Sequence, residues 1–192
     1  PLAATGKKAM VRNQMWKQAL AASMAGRLRM AEARGADYVG PGAESHLGAR
    51  TIPGLLAGKK LRVLGSPDTA HTWTYTEDMG RTLVAQGTDE RAWGRAWHVP
   101  SALVCSQREA LRRIALLAGA PEPKVVGISP ALLKVLGIFS PMMRELPEVA
   151  YQLERPFIMD STAAQTELGL EPTAPEDVLA AILAPFHHRS GR

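Results

Sequence analysis

The sequence predicts an α/β fold with a parallel sheet, and three observations lead there. Apolar residues first recur at helical spacing, from Val11 through Met15, Trp16, Ala19 and Leu20 to Met24. A short β-type run, Leu28 to Ala33, then enters a loop rich in Gly and Pro between Arg34 and Gly42. Later the same rhythm returns, with a helix pattern over 77–87 followed by the strand-like Arg95–Val99. Helix, turn and strand in alternation is the pattern of parallel strands joined by crossover helices.

The elements follow in order. Residues 1–6 read as a loop, and Ala9–Ala25 as a helix stopped at Gly26. Ala43–Gly48 is loop, and Ile52–Leu56 a short helix ended by Gly58. Leu61–Leu64 is a strand followed by a turn at Gly65-Ser66-Pro67-Asp68, and Glu77-Asp78 opens the next helix, with Asp78 as its N-terminal cap. Pro100 and Ser101 close the Arg95–Val99 strand, and Ser106 caps a helix through Leu117. Lys124–Ile128 is a strand. Two short helices are expected at 130–137 and 141–151, one capped by Asp160 to Leu168, and a last one from Pro175.

Composition narrows the class. With 192 residues, 46% hydrophobic, the chain is long enough to bury a core. The longest apolar run, Val178–Phe186, falls well short of the ~20 residues of a membrane span, so no membrane partner is expected. Cys105 is the single cysteine and excludes an internal disulfide, which fits a cytoplasmic protein. The net charge of +5 is concentrated at the front. Through Gly35, seven bases (Lys7, Lys8, Arg12, Lys17, Arg27, Arg29, Arg34) stand against Glu32 alone. No nucleic-acid-binding module accompanies that charge, so no nucleic-acid partner is expected.

Two segments carry chemistry. Arg34-Gly35-Ala36-Asp37-Tyr38-Val39-Gly40-Pro41 places small residues at the end of a strand, where a backbone can approach a ligand closely. The plain alternative is a turn whose glycines serve its backbone angles. His71-Thr72-Trp73-Thr74-Tyr75-Thr76-Glu77-Asp78 follows some thirty residues later. His71 reads either as a ligand-facing group or as a partly exposed loop histidine.

These two motifs, in this order, resemble the rear part of an extended short-chain dehydrogenase/reductase, of the NAD-dependent epimerase/dehydratase family. Ala92–Pro100 resembles the family's next strand, and Asp160–Pro172, with Glu167-Leu168-Gly169-Leu170-Glu171-Pro172, resembles its near-terminal segment. The resemblance covers essentially the whole chain. It implies the rear part of a Rossmann-type parallel sheet, from 1–42 and 77–118, and a small substrate-binding lobe with C-terminal helices, from 43–76 and 119–192. It implies NAD or NADP as cofactor, with Gly35 and Ala36 lining the nicotinamide end. Asp37, Tyr38, His71 and Trp73 would face a small-molecule substrate.

The departures are as informative. His71 stands where many sugar-nucleotide enzymes of this family carry an arginine, and histidine neither clamps a diphosphate bidentately nor keeps its charge at every pH. The family's Tyr-x-x-x-Lys pair is missing: none of Tyr38, Tyr75 and Tyr151 has a lysine four residues on. Lys8 and Arg12 have a comparable spacing and could hold a ribose or phosphate, but neither is a phenol-type proton donor. No catalytic residue is therefore assigned. No G-x-G-x-x-G or G-x-x-x-x-G-K-[ST] occurs, so the cofactor site is expected to be truncated, completed by a missing N-terminal half or by a homo-oligomer. A catalytically silent binding or regulatory protein of the same fold is the competing expectation. His46, His98, His187 and His188 lack ligand-like spacing, so no metal is expected. Trp93 and Trp97 read as packing residues.

Overall fold

The computed structural model describes residues 6–128 and 151–187. It is a mixed α/β fold. Helix α1 is Lys7–Met24, followed by strands β1 (Glu32–Arg34) and β2 (Asp37–Val39) and the short helix α2 (Ile52–Leu56). Strands β3 (Leu61–Leu64) and β4 (His71–Tyr75) lead into α3 (Thr76–Thr88). Strands β5 (Ala96–His98) and β6 (Leu103–Cys105), helix α4 (Gln107–Leu117) and β7 (Val125–Ile128) follow. Helices α5 (Tyr151–Glu154), α6 (Thr162–Leu168) and α7 (Pro175–His187) complete it. The two helices expected at 130–137 and 141–151 lie outside the described residues, except where α5 begins at Tyr151.

The strand pair expected near 28–33 and 95–99 is adjacent and parallel, with Ala33 opposite Trp97. The first of these is shorter than its sequence pattern: residues 28–31 lie outside the strand. Its partner β5 is itself only three residues long, bounded by Gly94 with φ +74° and by Pro100. Beyond Arg34 the chain changes sheet. Gly35 and Ala36 carry it from β1 to β2, which pairs with β4 in parallel. On the far side of β4, β6 runs antiparallel, and β3 and β7 form a separate parallel pair. The described strands thus make three small sheets rather than one continuous parallel one.

His71–Tyr75 is a strand, so His71 is not a loop residue. Its residues are β-branched or aromatic and all five are buried. Cover on both faces removes the polar alternation that marks a half-exposed strand. β2 and β6 were hidden in the same way, inside segments that read as turn and connection.

The main core lies between β2, β3, β4, β7 and the helices α2, α4 and α7, and includes Leu55, Trp73, Leu111, Ile114, Leu179 and Leu183. On α4 the buried set Ala110, Leu111, Ile114 and Ala115 forms one stripe, and each large member contributes about 1.5–3 kcal/mol on burial. Ser106 caps this helix as expected, its Oγ accepting from the Glu109 N–H at 3.2 Å. A smaller cluster holds Trp97, Ala92 and Ala164. Trp97 donates Nε1–H to the Ala92 carbonyl at 2.8 Å and Trp93 donates to Gln86 at 3.0 Å, both packing roles.

None of the residues of helix α1 is buried. At 100° per residue, Met10, Val11, Met15, Trp16, Leu20 and Met24 point to nearly every side, so no single stripe can be covered at once. Trp16 and Leu20 are half-buried, and the Arg34 guanidinium sits 5.3 Å from the Trp16 ring.

Candidate functional site

Parallel pairing of β2 with β4 sets Asp37 opposite Trp73 and brings the Asp37 side chain beside His71. Asp37 Oδ2 lies 3.1 Å from His71 Nε2, away from the axis of an ideal hydrogen bond. The other ring nitrogen, Nδ1, is 3.1 Å from the Gln152 carbonyl oxygen. A carbonyl only accepts, so Nδ1 carries a proton. The ring is tilted against Trp73, centroids 4.6 Å apart, and stacked on Phe157 at 5.3 Å. Residue 157 is tied to β4 by Thr72 N–H donating to its carbonyl at 2.9 Å. His71 is 1% exposed. The reading of it as a partly exposed loop residue is therefore corrected.

Asp37 borders an open cavity of about 350 Å³, together with Tyr38, Glu44, Ser45, His46 and Thr76. Burial pushes the Asp37 carboxyl up, but the His71 ring beside it, with His46 adding, outweighs this and holds the group below its ordinary range. Burial pushes the His46 imidazole down, against the pull of Asp37, and Arg50 and His71 add to the fall. Burial raises the Tyr38 phenol, opposed by the charge of Arg12 on α1.

The loop carrying His46 is fixed at both ends. Gly40 has φ +118°, and a Cβ there would meet the Tyr75 ring at 2.7 Å, so only glycine lets the chain cross that ring. Leu47 is fully buried in the core, and its N–H donates to Ser45 Oγ at 3.1 Å. The Thr51 hydroxyl donates to the His46 carbonyl. His46 carries no motif, and nothing in the sequence pairs it with Asp37.

The other expected site residues fall as follows. A Cβ on Gly35 would lie 2.9 Å from the Tyr38 ring and 3.1 Å from Thr74, so this turn needs a glycine for its own packing. The Ala36 N–H donates to Thr74 Oγ1 at 2.9 Å, and that hydroxyl is 3.0 Å from Ser101 Oγ, which donates to the Val99 carbonyl at 3.0 Å. Trp73 is buried and donates Nε1–H to the Cys105 carbonyl at 3.1 Å. Lys8 and Arg12 lie on exposed positions of α1. Asp78 is not the helix cap expected. It is buried and accepts from the Thr173 N–H at 3.1 Å and hydroxyl at 2.7 Å, with Arg81 paired beside it. Cys105 is held as a thiol, pushed up to about 11 by burial. Among the described residues no group of three or more His, Cys, Asp or Glu is placed to hold a metal ion. No described helix is long and apolar enough to cross a membrane.

No protein-family model matches the chain, and no curated protein matches it in sequence. Solved structures do match in shape. The dTDP-glucose 4,6-dehydratase of Bacillus anthracis, solved in complex with NAD, aligns at TM-score 0.73 and 16% identity, over 99% of this chain and 55% of that one. MoeE5, in complex with UDP-glucuronic acid and NAD, aligns at 0.71 and 19%, over 95% and 55%. The UDP-glucose 4-epimerase of Thermotoga maritima, with UDP-glucose, aligns at 0.68 and 17%, over 95% and 53%. The likeness is one of fold. This chain has the architecture of the C-terminal portion of these Rossmann-type enzymes and spans about half their length.

Proposed function

We propose that the chain is the substrate-side portion of an NAD(P)-dependent oxidoreductase of the epimerase/dehydratase type, acting on a small molecule in the cytoplasm. The observation that carries this is the strand exchange at Gly35-Ala36. Two small residues end β1, and the next residue, Asp37, opens onto the cavity. Ligands of open α/β sheets bind beyond the carboxyl ends of such strands. The neighbours in fold, two of them complexes with NAD, support the same reading.

The residues fit one end of a nicotinamide dinucleotide. Gly35 and Ala36 would line the nicotinamide end of the cofactor, whose ring would supply or take up hydride when bound. Lys8 and Arg12 offer charge to a ribose or phosphate. The Ala36 N–H is already used by Thr74, so contact there is by shape. The glycine-rich turn that cradles the pyrophosphate does not occur in the 192 residues. Binding by this chain alone is therefore expected to be weaker than about 1 mM, or about −4 kcal/mol, with no hydride transfer. At high NADH, amide signals of Gly35 and Ala36 are expected to move first. Micromolar affinity by calorimetry, or shifts that avoid residues 35–36, would sink the proposal.

A silent binding or regulatory protein is the second reading, favoured by the tyrosines. Tyr75 is 6% exposed, and no described tyrosine has a lysine four residues on. Supplying a nucleotide-binding half with its own G-x-x-G-x-x-G turn separates the two readings: hydride transfer supports the enzyme, tight NADH binding without turnover the silent protein.

A further inference from the structure

We propose that the groove between the end of α1 and the turn before β5 binds a monocarboxylic acid with an aliphatic chain, the carboxylate on Arg29 and the chain along Leu20, Met24 and Leu28. The groove has a volume of about 600 Å³ and shares no lining residue with the Asp37 cavity. Local chain geometry sets its walls. Gly26 follows α1 at φ +71°, and Gly94 turns the chain ahead of β5 at φ +74°. The Gly94 N–H donates to the Met30 carbonyl at 2.7 Å and so ties the two walls together. A Cβ at either glycine would meet nothing within 4 Å, so the space beside both is open. Leu20 is half-buried, while Met24 and Leu28 are 82% and 42% exposed. Apolar side chains left this open gain by covering, and being covered by, an apolar chain drawn from water.

The head of the ligand follows from Arg29. Its guanidinium lies 4.5 Å from the centroid of the Trp93 ring, and among the described residues it has no carboxylate partner. The indole is itself fixed, because Nε1–H donates to the Gln86 carbonyl at 3.0 Å and the ring packs against the Trp97 cluster. A guanidinium drawn to an aromatic ring is positioned in advance, and its N–H fork can still clamp a carboxylate through two parallel bonds. Backbone donors at the rim are already used: Gly26 N–H meets the Ser23 carbonyl at 2.9 Å and Arg27 N–H the Ala22 carbonyl at 3.0 Å. Arg29 is the single cation among the lining residues, which matches one negative charge; a phosphate monoester brings about −1.5 to −2. The Trp93 ring is taken up by Arg29 and by its own cluster. The apolar contacts that remain, from Leu and Met, suit a flexible aliphatic chain better than an aromatic ring.

The test uses the 192-residue chain labelled with nitrogen-15, titrated with octanoate below its micelle concentration, and with butanoate, 1-octanol and octyl phosphate for comparison. Octanoate is expected to shift the Trp93 indole N–H and the amides of Ser23, Leu28 and Arg29 saturably. Removing either member of the charge pair should weaken binding by about tenfold or more, whether by 1-octanol on the parent or by octanoate on Arg29→Gln. Arg29 is exposed, so that variant leaves the core untouched. Arg29→Lys keeps the charge without the fork and is expected to fall between the two. Butanoate, with half the chain to cover, should bind at least about tenfold more weakly than octanoate, and octyl phosphate no more tightly than octanoate. Equal affinity for octanol and octanoate, or octanoate binding unaltered by Arg29→Gln, would indicate plain apolar adsorption and overturn the proposal. Octyl phosphate binding about tenfold more tightly than octanoate would overturn the choice of acid. The same signals moving with protein concentration alone, and not with octanoate, would mean that a second copy fills the groove, and would overturn it as well.

Discussion

Two titratable neighbours, His46 and Asp37, meet burial with different results. Burial lowers His46 because the ring is charged when protonated, and the Asp37 carboxylate does not offset it. For Asp37 burial would raise the pKa, but His71 overcomes it. Both groups therefore bind protons more readily in the unfolded chain, and stability falls with pH in two windows. For His46 the unfolded imidazole begins to protonate near 6.5 and the folded one only lower. Its contribution is whole above 6.5 and is lost as pH falls through the folded value. The Asp37 contribution is whole above 3.8 and is lost below it. His46→Gln is thus expected to flatten the fall in urea midpoint between pH 7 and pH 5, leaving the decline below pH 4 in place. Parallel pH slopes for the two proteins in the upper window would show that His46 is not held neutral by burial.

The pairing of β3 with β7 depends on a close approach that only glycine permits. A Cβ on Gly127 would lie 2.2 Å from the Gly65 carbonyl oxygen and 3.1 Å from Pro67, and Gly65 itself has φ +67°. Backbone rather than a side-chain tip would have to move. Gly127→Ala is expected to destabilise by roughly 1–3 kcal/mol, the range for overpacking, read as a lower urea midpoint with unchanged slope. A variant as stable as the parent would mean that the two strands are less closely bound than their register indicates. The helices were legible because their signals are local: Ser106 at a cap, the four-residue spacing on α4, Gly58 and Gly169 at ends with φ +62° and +65°. β2, β4 and β6 were not, because a strand covered on both faces loses its alternation and its partners lie far along the chain. The site divided in the same way. Asp37 and His71 could be singled out from their motifs, but their contact depends on β2–β4 register, and His46 enters through a loop held by Leu47 and Thr51.

Among the described residues, helix α1 has no buried side chain and is rich in basic residues. Met10, Val11, Met15 and Met24 of α1 are 50–82% exposed, and Leu28 beyond the helix is 42% exposed. Isolated surface apolar residues are ordinary, but a helix apolar on nearly every side is one that normally lies covered. The same stretch carries Lys7, Lys8, Arg12 and Lys17, whose repulsion opposes two copies meeting through it. Self-association of the isolated chain should therefore strengthen with salt, since ionic strength screens the lysines and arginine without weakening apolar contact. Sedimentation velocity is expected to show a concentration-dependent shift that grows between about 0.01 and 1 M salt, where the screening length falls from about 30 to 3 Å. Met15→Glu should return the chain towards monomer at every salt concentration, because it replaces an apolar contact with a charge in the centre of the helix. A strict monomer with a sharp, concentration-independent melt would mean that α1 needs no cover, and that its methionines are tolerated at the surface.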